Sequence, residues 1–212
     1  VLTHAHYDHI GFLARLRAID RRRIAEGRQP YLAPHFVIVM SPQTAAVLSI
    51  TLSEGERREE HILFDTAYVL NRIRVIPHPG EYEIFPGLII FAIEAGHIPG
   101  AFLVATKSYS GEIVLIPGDV CWHDQPTVKG ARSFLHWPRK WWPTQLLTDL
   151  TYGAQYATTF ESEVQRLIKR TTTGIDQGKD VFIAALRYAR LQNVAWWLAQ
   201  ELWLGREREK RI

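Results

Sequence analysis

Three histidines and an aspartate, all able to bind a metal ion, fall within six residues near the start of the chain: His4, His6, Asp8 and His9 in Thr3-His4-Ala5-His6-Tyr7-Asp8-His9-Ile10-Gly11. The chain has 9 histidines in 212 residues, so three in six residues is a density that a polar surface loop does not account for. Val1, Leu2 and Thr3 read as the end of a buried strand. If the backbone stays extended beyond them, His4 and His6 point to the same side and both imidazoles can reach one ion. Asp8 and His9 follow where the chain turns into a helix and can address a second ion close by. Histidine nitrogen combined with carboxylate oxygen suits zinc, manganese or iron better than calcium.

Two distant segments can supply further ligands. Ala95-Gly96-His97-Ile98-Pro99-Gly100 sets a histidine at a strand end between glycines, where backbone can approach a site closely. Pro117-Gly118-Asp119 ends the next strand with a carboxylate. Singly, each is more often an ordinary turn. Together they suggest that His97 and Asp119 close the two strands of one hairpin and lie at the same edge of a sheet.

The elements that must hold these residues can be read from periodicity. Ile10 to Ala25 carries apolar residues at helical spacing, with arginines elsewhere. A short β-rich run covers Pro34 to Met40, and Ser41-Pro42 opens a helix over Gln43 to Leu52. Glu54 to Glu60 is a charged stretch, and Phe64 to Ile73 suggests another helix. From there the texture turns to strands: Arg74 to Ile76, Tyr82 to Ile84, Leu88 to Glu94, Ala101 to Thr106 and Ile113 to Ile116, with Ser110-Gly111 as a hairpin turn. Leu146 to Leu150 is a further strand. Thr158 with Glu161 makes a capping box ahead of a helix bearing Phe160, Val164, Leu167 and Ile168. Val181 to Ala185 reads as a buried strand and Tyr188 to Leu204 as a long apolar helix. The whole suggests a layered α/β sandwich.

Thr3 to Gly11 resembles the His-x-His-x-Asp-His motif of the metallo-β-lactamase superfamily, and Gly96-His97 and Gly118-Asp119 resemble its next two metal motifs, in the same order. The resemblance covers residues 1 to about 120. It implies two divalent metal ions, zinc first and manganese as the alternative. His4, His6 and His97 would hold one, Asp8 and His9 the other, and Asp119 would bridge them, with a hydroxide between the ions as nucleophile. Leu147-Thr148-Asp149-Leu150-Thr151-Tyr152-Gly153 resembles the acidic-residue-then-Thr-Tyr-Gly motif of the β-CASP nucleases, which include the J-type bacterial ribonucleases and the pre-mRNA cleavage endonuclease. There the acidic residue orients a metal-bound histidine, the role this assigns to Asp149 beside the catalytic Asp8. Val181 to Gln192 resembles that branch's strand-to-helix stretch with Arg-x-Gln, except that Ala184 stands where proline is usual and Ala189 where glycine is. The Asp-Gln-Pro after Cys121-Trp122-His123 also suits the branch.

The resemblance therefore implies an α/β fold: an αββα metallo-β-lactamase sandwich over 1–155, incomplete at its N-terminus, and the beginning of an inserted β-CASP domain over 156–212. The leading strands and the last metal-binding histidine are not found, since only His123 and His136 follow Asp119, so the chain is expected to be cut at both ends. The implied activity is hydrolysis of RNA phosphodiesters, with DNA as the other candidate substrate. A small-substrate hydrolase of the same superfamily, acting on a thioester, lactone or β-lactam, is the alternative. A non-catalytic RNA-binding or scaffolding subunit is a weaker rival, because a scaffold has no chemical need for six metal-binding side chains.

Composition bounds these expectations. At 47% apolar and 22% charged residues the chain has the make-up of an ordinary globular protein, and no apolar run approaches the roughly 18 residues a membrane helix needs. Cys121 is the only cysteine, which excludes an internal disulfide and fits a reducing, cytoplasmic setting. A net charge of +3 does not by itself argue for a nucleic-acid partner. Arginines crowd residues 15 to 28 and basic residues crowd 206 to 211, each cluster most simply a solvated helix face. His136-Trp137-Pro138-Arg139-Lys140-Trp141-Trp142-Pro143 interleaves aromatic and basic side chains; stacking of bases is one use for it and packing of a long connection is the other. No membrane partner is expected, and self-association into a homo-oligomer is left open.

Overall fold

Ile38, Val39 and Met40 are all buried, yet they serve two different cores, because successive side chains of a strand point to opposite faces. In the computed structural model these residues form β1 (Ile38–Met40), which follows the helices α1 (Tyr7–Ile10) and α2 (Leu13–Ala25). The structure describes residues 1–11, 13–31, 35–58, 66–77, 79–148 and 158–204. Ile38 and Met40 pack with Ile10, Leu13, Leu16, Leu48, Leu52 and Val69, joining α1 and α2 to α3 (Pro42–Arg58) and α4 (Thr66–Leu70). Val39 faces the other way, against Ile76, Ile84, Ile90, Ala92, Phe102 and Val104. One short strand thus lies between a helical layer and a larger sheet. The chain is mixed α/β.

The described residues fall into two compact units, one within Val1–Trp122 and Gly130–Thr148, the other within His123–Lys129 and 158–204. In the first unit β1 pairs in parallel with β2 (Ile73–Val75), while β3 (Gly80–Phe85), β4 (Leu88–Glu94), β5 (Phe102–Lys107), β6 (Ile113–Ile116) and β7 (Gln145–Leu146) make a five-stranded sheet in that order. β3 to β6 are antiparallel neighbours, and β7 adds in parallel beside β6. The expected strands of this meander are present, with Leu88–Glu94 and Ile113–Ile116 at the expected bounds.

Several expectations are corrected. Val1–Thr3 is not a regular strand; Leu2 N–H donates to the Val39 carbonyl and the Thr3 carbonyl accepts from Phe102 N–H, each at 2.9 Å, so the segment is pinned between β1 and β5. The helix expected over Ile10 to Ala25 is two helices, and Ile73 begins a strand rather than ending a helix. His97 and Asp119 do not close one hairpin. His97 follows β4 and Asp119 follows β6, two strands separated by the antiparallel β5, so β4 and β6 run the same way and finish at the same end of the sheet. The Trp-rich connection packs on that sheet: Trp137 and Trp141 lie against Phe91 of β4 with ring centroids 5.1 and 5.4 Å away, leaving Trp142 exposed.

The second unit contains α5 (Phe160–Asp176) and α6 (Arg190–Ala199), the latter running on as a π-helical turn over Gln200–Leu204. The cap of α5 is Thr159, one residue later than expected, and its hydroxyl accepts from Ser162 N–H at 3.2 Å. Val181 to Ala185 is not a buried strand. It has no strand partner among the described residues, and Phe182 is 94% exposed. A strand owes its stability to a neighbour's hydrogen bonds, and apolar composition alone does not supply one. Here a buried amide pair does the organising instead. Asn193 Oδ1 accepts from Thr127 N–H at 3.1 Å and from its hydroxyl at 2.9 Å, while Asn193 Nδ2 donates to Gln125 Oε1 at 3.0 Å. Among the described residues, no helix is long and apolar enough to cross a membrane.

Candidate metal centre

The end of the sheet where β4 and β6 finish is also where β5 begins, and Thr3 is bonded to the first residue of β5. His4, His6, His97 and Asp119 are therefore delivered to one place by three different loops. With neighbouring strands about 4.8 Å apart, loops from β4 and β6 start roughly 10 Å apart across β5, a gap the side chains close. One ligand atom from each of the four residues lies within 4.8 Å of the other three, and this buried group could hold a metal ion.

Two glycines let the loops come so close. Gly118, at φ 59°, lies against Thr3, whose Oγ1 would be 2.7 Å from a Cβ at that position. Gly96, at φ 68°, lies under the backbone of the Asp119 loop, where a Cβ would meet the Cys121 carbonyl oxygen at 2.3 Å and Ala131 N at 2.5 Å. The positive φ and the missing side chain are both needed there. Backbone bonds complete the assembly: Cys121 N–H donates to the Ala95 carbonyl at 3.0 Å and Ala131 N–H to the Cys121 carbonyl at 2.9 Å.

Within the cluster, His97 Nε2 is 3.0 Å from His6 Nδ1 and 3.2 Å from Asp119 Oδ2. His4 Nε2 lies 3.7 Å from the same carboxylate oxygen. The other oxygen, Oδ1, is 3.6 Å from His9 Nε2. Asp119 thus presents one oxygen to His4 and His97 and the second to His9. The closed side of the site is made by His4, His6 and His97, all buried, and the open side by His9 and Asp119, each about 30% exposed. Asp8 stands outside the four-residue group, 78% exposed, with its Oδ2 3.6 Å from His9 Nε2.

His4 tests whether the residues fit a metal. Its ring is fully buried and its Nε2 makes no hydrogen bond, an arrangement that costs free energy unless the lone pair has another use. Burial, and then the neighbouring His9, His97 and His6 rings, hold its pKa far below the usual 6.5, at about 2. The imidazole therefore stays neutral across the physiological range, the form in which histidine binds metal. A buried nitrogen-rich set with one carboxylate matches zinc-type chemistry better than that of the hard, oxygen-seeking cations.

Of the residues singled out from sequence, His4, His6, His97 and Asp119 come together, His9 adjoins them, and Asp8 sits at the exposed margin. Asp149 and the Thr151 to Gly153 stretch lie outside the described residues, as does the basic run at 206 to 211. One contributor was not anticipated: Thr3, whose Oγ1 is 3.2 Å from His4 Nδ1. Its signal was a hydroxyl residue directly before the first histidine.

No family model matches the chain. A protein of Synechocystis sp. (strain ATCC 27184 / PCC 6803 / Kazusa), described only as uncharacterized protein sll0514, is 25% identical over 139 residues. The match takes in 64% of this chain and 25% of that protein, so this chain is similar to a part of a longer relative and spans about a quarter of its length.

Proposed function

We propose that the chain carries the metal centre of a metal-dependent hydrolase of the metallo-β-lactamase fold, acting on RNA phosphodiesters in the manner of the β-CASP nucleases. The carrying observation is the convergence of His4, His6, His97 and Asp119 from three loops onto one sheet end, with His9 on the second oxygen of Asp119. The motifs quoted for the superfamily contribute those same residues, and a helix-sheet-sheet layering is the architecture that the αββα sandwich would require. The nuclease branch rests on the likeness at Asp149 to Gly153 and at Val181 to Gln192.

In this reading His4, His6 and His97 would hold one divalent ion, zinc before manganese, while His9 and Asp8 would serve a second, with Asp119 available to both. Such ions supply Lewis acidity, offsetting charge on a phosphodiester and acidifying water. The protein's part is positional. The three buried imidazoles close one side of the site to solvent, so a substrate reaches it from the side of His9 and Asp119. Asp119, fixed by the Gly118 turn, keeps its two oxygens directed to the two halves of the site. Asp8, whose Oδ2 lies 3.6 Å from His9 Nε2, would be the carboxylate that takes up a proton released during hydrolysis.

The test is a substrate panel on the purified chain with added zinc or manganese: bis(p-nitrophenyl) phosphate and a fluorogenic single-stranded RNA against a thioester, a lactone and a β-lactam. Chelator-sensitive cleavage of the phosphodiesters, abolished in His97→Ala, is the expected result. Turnover of the thioester, lactone or β-lactam alone would overturn the nuclease reading in favour of a small-substrate hydrolase.

A further inference from the structure

We infer that the Thr3 hydroxyl is a positioning group for the metal centre, holding His4 in the tautomer that leaves Nε2 free to ligate. The inference rests on the metal-site reading above and adds to it a residue from outside the ligand set.

A neutral imidazole donates from one nitrogen and accepts at the other, so the 3.2 Å contact between Thr3 Oγ1 and His4 Nδ1 can run in two directions. If the hydroxyl donated, the ring proton would sit on Nε2. That atom is fully buried, makes no hydrogen bond, and is 3.7 Å from the nearest Asp119 oxygen, too far to donate to it. The proton would be stranded and the ligand lost. If Nδ1–H donates to Oγ1 instead, both nitrogens have a use: the hydroxyl accepts behind the ring, and the Nε2 lone pair faces His97 and Asp119.

Thr3 is built to hold that position. Its carbonyl accepts from Phe102 N–H of β5, and the residue before it is bonded to β1, so the backbone is fixed on both sides. The residue is only 8% exposed, and its side chain fills the space left by the missing Cβ of Gly118, the residue before Asp119. One hydroxyl therefore touches the first ligand while its own Cβ packs on the turn that presents the last. A hydrogen-bond partner that fixes the tautomer of a metal-bound histidine is a general device, and its loss typically weakens metal binding about 10- to 100-fold.

Two measurements on the chain as it stands test this. In the metal-free protein, long-range proton–nitrogen NMR of the histidine rings should find the His4 proton on Nδ1; a proton on Nε2 would overturn the inference whatever the metal affinity. Zinc affinity should then be measured by competition with a chromogenic chelator. Thr3→Val keeps the shape and removes the acceptor, and should weaken zinc binding about 10- to 100-fold. Thr3→Ser, which keeps the hydroxyl, should recover most of that loss, a rescue that a purely packing role would not give. Unchanged affinity in Thr3→Val, or a Thr3→Ser variant as weak as Thr3→Val, would sink the role of Thr3 while leaving the metal site intact. Failure of the unsubstituted chain to take up zinc would remove the metal site and this inference together.

Discussion

The loops of the first unit that carry the candidate metal ligands and the amide network of the second hold irregular backbone in place by opposite means. Around the ligands the main chain fixes itself: Leu2 to Val39, Thr3 to Phe102, Cys121 to Ala95 and Ala131 to Cys121 are all backbone hydrogen bonds, made possible by close approach at Gly96 and Gly118. In the second unit the loop 123–129 is tied to α6 by side chains, Gln125 and Thr127 meeting Asn193, which is 1% exposed. The first arrangement should tolerate many side-chain changes but no added Cβ at its glycines. The second should depend on one amide.

The largest effect is expected from Gly96→Ala. The new methyl would overlap backbone atoms that cannot swing aside, on a residue already at positive φ, and should cost about 3 kcal/mol or more along with the metal site. Urea unfolding and zinc titration of the variant would show it; a stable, zinc-binding Gly96→Ala would mean that the loops are far looser than described.

Next in size is a contrast between ligands. His97 belongs to the buried group and His9 only adjoins it, so His97→Ala should lower the affinity of the tightest ion by more than the roughly 100-fold that follows loss of a residue that merely orients a ligand. His9→Ala should leave that ion within tenfold of its original affinity and affect mainly a weaker one, by the same ranking. Equal losses in calorimetric titration would contradict the division into closed and open sides.

Sequence made the candidate ligands His4 and His6 legible because they are dense and local: they share a side wherever the backbone is extended, whatever the rest of the fold. The meander was legible too, since each of its strands has the next as its neighbour. The route by which His97 and Asp119 meet was not. That depends on β4 and β6 being alternate strands, a fact of topology that no local pattern carries. Val181 to Ala185 failed for a related reason, as β-branched composition marks a segment able to join a sheet without supplying the sheet. Thr3 escaped notice because a hydroxyl beside a histidine means little until a distance ties them.

A smaller effect is expected from Asn193→Leu. It removes the acceptor of Thr127 N–H and one of the two donors to Gln125 Oε1, the other being Arg190, and should cost about 1–3 kcal/mol of stability. Zinc affinity should not change, because Cys121 is anchored to Ala95 and Ala131 within the first unit. A drop in zinc affinity matching that of a ligand variant would show the two regions to be energetically coupled.

The smallest is Ala189→Gly. Ala189 is buried at φ 65°, the one described non-glycine residue with positive φ, directly before α6. Glycine accepts that conformation with less strain than alanine, and even after its greater loss of chain entropy the variant should be more stable by up to about 1 kcal/mol. A lower melting temperature would argue that the alanine methyl contributes packing worth more than the strain.

If His4, His6, His97 and Asp119 form one preorganised metal site, X-ray absorption on the zinc-loaded chain will show it in the ligand shell. One tightly held zinc per chain is expected, with three imidazole nitrogens and an oxygen at about 2.0–2.2 Å and no sulfur shell. That pattern should vanish in a His4→Ala, His97→Ala double variant that still folds. Zinc bound through sulfur at about 2.3 Å, or a spectrum indifferent to the loss of both histidines, would contradict it.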